Sequence, residues 1–151
     1  MDRTDAISKL TARGEQFELQ DITINGNVCK WFVNAPSTLP QMIKESISDQ
    51  TFYVYKTERY TFNEMYQRAS SLAAELIEKY GISPGDRVAI GMRNYPEWPI
   101  AFTAITSIGG IVVALNAWWE SDELEYGLNH TGTKVAIVDQ ERLDRIIGND
   151  R

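Results

Sequence analysis

The two residue types that most often carry covalent or metal chemistry occur once each, as Cys29 and His130. One cysteine closes no internal disulfide, and one histidine holds a metal only if carboxylates converge on it. Cys29 falls in a strand pattern with only Lys30 beside it to stabilise a thiolate. His130 falls near the end of a helical pattern, where it complements the helix dipole rather than moving protons. Neither Gly-x-Gly-x-x-Gly nor Gly-x-x-x-x-Gly-Lys-Ser/Thr occurs, so the chain encodes no self-sufficient phosphate cradle. No residue is assigned a catalytic or metal-ligating role.

The chemistry left to this chain is ligand contact at the carboxyl ends of parallel strands, where ligands approach open α/β sheets. Three places qualify: Arg93-Asn94, Asn116 to Trp119, and Asp139-Gln140. Asn94 also stands where a cap is wanted for a helix starting near Pro96.

Three apolar runs must position those places. Arg87 to Met92 has almost no polar alternation, as a strand covered on both faces requires. The stretches from Met92 to Ile111 and from Leu115 to Lys134 are each long enough for one crossover helix and its loops, so Arg87 to Asp139 reads as a parallel β-α-β-α-β unit. The first crossover helix, from about Pro96, tolerates Pro96 and Pro99 in its first turn and is apolar nearly all round. The second should start after Ser121 or Asp122 and end near Gly132, turning Leu124 and Leu128 to the sheet. Gly109 and Gly110 permit a helix and a strand to approach closely.

Upstream, Thr61 and Glu64 form a capping box for a helix whose stripe runs Phe62, Met65, Tyr66, Ala69, Leu72, Ala73, Leu76, Ile77 and Tyr80, with Gly81 as its stop. A short aromatic strand is expected from Phe52 to Tyr55. Residues 1–50 read as an arm: a β-hairpin with Asn25-Gly26 at its turn, then a helix capped by Thr38 and Gln41 that carries Leu39, Met42, Ile43 and Ile47. Residues 51–151 then form a first α/β subdomain.

Composition agrees with an ordinary globular protein, at 43% hydrophobic and 24% charged residues. A net charge of −6 with both signs mixed along the chain argues against a nucleic-acid surface or a polybasic membrane anchor. The charged N-terminus lacks a signal-peptide pattern, and the apolar stretch Ile108 to Leu115 falls far short of the ~20 residues that span a bilayer. A reduced, cytoplasmic compartment is expected.

Five blocks, in order, resemble the N-terminal part of the adenylate-forming enzymes: the acyl-CoA synthetase, luciferase and peptide-synthetase adenylation-domain superfamily. They are Tyr60-Thr61-Phe62-Asn63-Glu64-Met65; Gly81 to Ile90; Asn94-Tyr95-Pro96-Glu97; Ser107-Ile108-Gly109-Gly110-Ile111-Val112-Val113-Ala114-Leu115-Asn116; and Glu123-Leu124 with Lys134 to Asp139. Two departures stand out: Ala114 where the motif usually has proline, and a bulky loop at Asn116-Ala117-Trp118-Trp119. The aromatic arm and this loop look most like the fatty-acyl or medium-chain CoA ligases.

The resemblance implies a two-step reaction. A carboxylate attacks the α-phosphate of Mg-ATP, giving an acyl-adenylate and pyrophosphate; a thiol, typically of CoA, then displaces AMP. The family's Thr/Ser/Gly-rich phosphate loop, its ribose-gripping aspartate, its metal-binding glutamate and the lysine of its mobile C-terminal domain are not found in this chain. The resemblance therefore implies a truncated N-terminal part, inactive alone and binding ATP, Mg and CoA only weakly, with self-association through surfaces meant for the rest of the domain. It also implies that Asn116, Ala117, Trp118 and Trp119 wall a CoA tunnel, unless the Trp pair simply packs on the rest of the domain. Arg142 and Arg145 lie near where some relatives contact CoA phosphates, although a solvated helix face explains them as well. The competing readings are a stand-alone, non-catalytic binding or regulatory domain on the same scaffold, and a different α/β nucleotide-binding protein.

Overall fold

Residues 2–148 are described by a computed structural model. Contacts divide the chain into two units, Met1–Ser37 and Thr38–Arg151. The helix after Thr38 thus falls in the second unit, where it packs on the helix Glu97–Ser107, whereas the sequence grouped it with the arm.

The first unit holds α1 (Arg3–Leu10) and the hairpin β1 (Leu19–Ile24) and β2 (Asn27–Phe32). Helix α1 stands outside the elements expected of the arm. It forms because Asp2 and Asp5 make a reciprocal capping box at its start. Asn25 and Gly26 both take positive φ, 49° and 82°, as the tight turn demands, and set Ile24 opposite Asn27 and Leu19 opposite Phe32. Every side chain of β2 is exposed.

The second unit contains α2 (Leu39–Glu45), the hairpin β3 (Thr51–Tyr55) and β4 (Glu58–Thr61), α3 (Phe62–Glu78), β5 (Arg87–Gly91), α4 (Glu97–Ser107), β6 (Ile111–Ala114), α5 (Ser121–Thr131), β7 (Val135–Val138) and α6 (Gln140–Ile147). At α2 the Thr38 hydroxyl accepts from the Gln41 N–H, the Gln41 amide donates to Glu45, and Ile47 lies outside the helix. Strand β4 escaped the sequence reading; Lys56, with φ 53°, makes the turn that pairs it with β3.

Helix α3 begins with both halves of its capping box, Glu64 N–H to Thr61 Oγ1 at 3.1 Å and Thr61 N–H to Glu64 Oε2 at 2.9 Å. It buries Met65, Ala69, Ala73 and Leu76, but Ile77 and Tyr80 are 50% and 53% exposed and leave the expected stripe. Ile77 is turned about 100° from Leu76, and Tyr80 lies beyond the C-cap, where the chain reverses at Gly81 with φ 61°.

The parallel sheet has the order β6-β5-β7. Central β5 is covered on both faces: Val88 and Ile90 pack with α3 and α4, while Ala89 packs with Leu115, Leu124 and Ile146 of the other layer. The turn before β6 is close-packed, since a Cβ on Gly110 would stand 2.9 Å from Ile105 Cγ2. Among the described residues no helix is long and apolar enough to cross a membrane.

Candidate functional site

The carboxyl ends of β5, β6 and β7 come together around Asp139, the N-cap of α6. Its Oδ1 accepts from the Arg142 N–H at 3.1 Å and its Oδ2 from the Arg93 N–H at 3.1 Å, which ties the end of β5 to the start of α6. Arg142 Nη1 donates to both carboxylate oxygens, at 3.0 and 2.9 Å. Burial alone would raise the Asp139 carboxyl; these bonds outweigh it and hold the group below the ordinary carboxylate value. Burial opposes the charge on Arg142 too, and Asp139 and Glu141 overcome it.

From that anchor the loop after β6 is gripped residue by residue. Arg142 Nε donates to the Ala117 carbonyl at 2.7 Å. Arg145 Nη1 donates to the Trp119 carbonyl at 2.6 Å, while its Nη2 reaches Glu141 at 2.8 Å. The Arg93 guanidinium lies over the Trp118 ring, 4.0 Å from its centroid. Glu141 joins all three arginines, at 3.0 Å to Arg142, 2.8 Å to Arg145 and 3.6 Å to Arg93. Inside the loop, Asn116 accepts the Trp118 N–H on its side chain and the Trp119 N–H on its carbonyl.

The tryptophan pair divides. Trp119 joins the core beside Leu115 and sits so close to α5 that a Cβ on Gly127 would stand 2.8 Å from its Cζ3. Trp118 points outward and is 67% exposed. It borders a cleft of about 460 Å³ formed with Tyr55, Arg93, Asn94, Tyr95 and Ala117. A second cleft of about 440 Å³ shares Tyr55 and Tyr95 and reaches Asp139. Tyr55 and Tyr95 meet edge to face at 6.1 Å.

Several sequence expectations change here. Arg142 is 0% exposed, so a solvated helix face does not describe it, and its guanidinium is engaged by Asp139, Glu141 and Ala117. Only its Nη2, among the described residues, is a buried side-chain polar atom without a partner. Asn94 does not cap α4, whose N-cap Pro96 has no side-chain bond; Asn94 faces the cleft instead. Helix α5 is started by Glu120 and Glu123 rather than by Ser121 or Asp122. Gln140 bonds Asp144 along α6 and is exposed, and His130 stacks on Tyr126 in the last turn of α5. Cys29 is exposed in β2. Tyr55, Glu141 and Gly127 were missed: Tyr55 comes from outside the parallel sheet, and nothing in the sequence marks an i+1 carboxylate or a helical glycine as a loop support.

A parallel sheet with a braced loop at its carboxyl edge defines an α/β scaffold of the kind that admits ligands at its strand ends. The chain belongs to the AMP-binding enzyme family, whose match covers residues 43–150. It is 34% identical over 104 residues to a long-chain-fatty-acid–CoA ligase of Escherichia coli O6:H1, covering 67% of this chain and 18% of that protein. It is 28% identical over 118 residues to 4-hydroxybutyrate–CoA ligase 2 of Metallosphaera sedula, covering 78% and 21%. The chain therefore spans about a fifth of the length of these relatives. In fold it matches the anthranilate CoA ligase AuaEII in complex with anthranoyl-AMP, with a TM-score of 0.70 over 74% of this chain and 22% of that one, at 24% identity.

Proposed function

We propose that this chain is the N-terminal part of a ligase that activates a carboxylic acid, most suitably a fatty acid, with ATP and passes the acyl group to CoA. The family match and the CoA-ligase relatives support the class. The observation that carries the site is the braced loop Asn116 to Trp119, which turns Trp118 outward beside an open cleft at the carboxyl edge. Its aromatic and main-chain surface suits the narrow pantetheine arm of CoA, whose thiol would receive the acyl group. The CoA phosphates fit less well here, because Arg142 and Arg145 already serve the loop and its carboxylates.

Bound ATP would supply the adenylyl group and Mg would neutralise its phosphates. Among the described residues no group of three or more His, Cys, Asp or Glu could hold a metal ion by itself. No step of the chemistry is assigned to them, and the isolated chain should form no acyl-adenylate. The test is fatty-acid-dependent exchange of pyrophosphate into ATP, run on the full-length protein and on residues 1–151. Exchange by the full-length protein and none by the short chain is expected. Exchange by the short chain overturns its inactivity. Its absence from both, across fatty and aromatic acids, favours a non-catalytic binding domain.

A further inference from the structure

Residues 117, 118 and 119 are each held by a different arginine, and the three arginines share Glu141. Exposed ion pairs contribute little to such ordering. Arg142 is different, because it is wholly buried and its fork bridges two places: Nη1 to Asp139 at the N-cap of α6, and Nε to the Ala117 carbonyl of the β6–α5 loop. A lysine offers its donors from a single nitrogen and lacks the rigid fork with which Arg142 reaches the two acceptors from separate nitrogens.

We propose that Arg142, seconded by Arg145 and Arg93, is a positioning residue: it fixes the Ala117 carbonyl and so holds Trp118 outward as the wall along which the acyl-accepting thiol enters. This rests on the ligase reading above. It differs from a phosphate-binding role, since Arg142 presents no surface to a ligand and both Arg145 terminal nitrogens are engaged within the chain. A wall set before the ligand arrives needs no reordering on binding, and displacement of a positioning group by an ångström costs up to about 100-fold in rate.

The first measurement uses the 151-residue chain, labelled with nitrogen-15, with the Trp118 indole N–H assigned by its loss in Trp118→Phe. In Arg142→Lys the Trp118 signal shifts or broadens while those of Trp31 and Trp98 stay in place; an unmoved Trp118 signal overturns the proposal. Should Arg142→Lys not fold, the partly exposed Arg145→Lys carries the same test. The second uses the full-length protein, where Arg142→Lys should raise KM for CoA about tenfold or more while lowering pyrophosphate exchange far less. Equal losses in the two steps, or an unchanged KM for CoA, overturn the positioning role. A wild-type protein without exchange overturns the ligase reading instead, and the thiol-wall role with it, while the indole signal still reports whether the brace holds the loop.

Discussion

Arg142 Nε lies 2.7 Å from the carbonyl oxygen of Ala117, and through that bond a buried helix residue holds a loop that precedes a different helix. The same guanidinium closes on Asp139, so one side chain links the end of β7 to the loop after β6.

Removing one partner of a buried ion pair leaves the other charged and desolvated. Arg142→Ala should therefore lower stability by about 3–5 kcal/mol. Urea unfolding of wild type and variant measures it, and a loss under about 1 kcal/mol would show that the pair is dispensable.

Asp139 gives that pair a pH signature. Its carboxyl is held below the ordinary value of 3.8, burial being outweighed by the bonds from Arg142 and Arg93. A carboxylate depressed in the folded state adds stability above its unfolded value and loses it as pH falls toward the folded value. The urea midpoint should be level above about pH 5 and decline through pH 4 and below. Glu64, held low by Thr61, and Asp86, held low chiefly by Lys134, act in the same direction from exposed positions and add less. In Asp139→Asn the acid decline should be shallower; an identical slope would assign it to other groups.

Gly127 sits in the interior of α5, where alanine would ordinarily add about 1 kcal/mol of helix stability. Here the new methyl would meet the Trp119 ring at 2.8 Å and Leu115 Cδ2 at 3.1 Å, and overpacking costs about 1–3 kcal/mol. Gly127→Ala should be net destabilising by thermal unfolding. Adding Trp119→Leu should recover part of the loss, and purely additive effects would show that the two positions do not meet.

Both edges of the three-stranded parallel sheet, β6 and β7, lack a strand partner among the described residues, and Ile111 on β6 is exposed. Unpaired strand edges recruit other chains. The 151-residue chain should self-associate with rising concentration, measured by static light scattering; a constant monomer mass would count against it.

The parallel unit was readable because β5 is apolar without interruption and the segments between strands suit one helix each. The start of α3 was readable because Thr61 and Glu64 form a local motif. The support of the loop was not. Arg142 and Arg145 sit in an ordinary charged helix pattern, and only the tertiary turn of α6 decides that the first is buried beneath Ala117 while the second reaches Trp119. The two tryptophans likewise look equivalent until Gly127 opens room for one of them. Strand β4 was lost because Glu58-Arg59 lacks apolar alternation and its pairing hangs on the positive φ of Lys56.

The strand order has a consequence for how the chain is made. During synthesis β5 can pair with β6 soon after both emerge, but its other edge waits for β7, and the clasp of Asp139 and Arg142 arrives after all three strands. Until then the Ala117 carbonyl lacks its arginine, so a nascent chain halted before residue 139 would carry its tryptophan loop unfastened. The loop is thus fastened from behind, by a helix translated after the strands it secures.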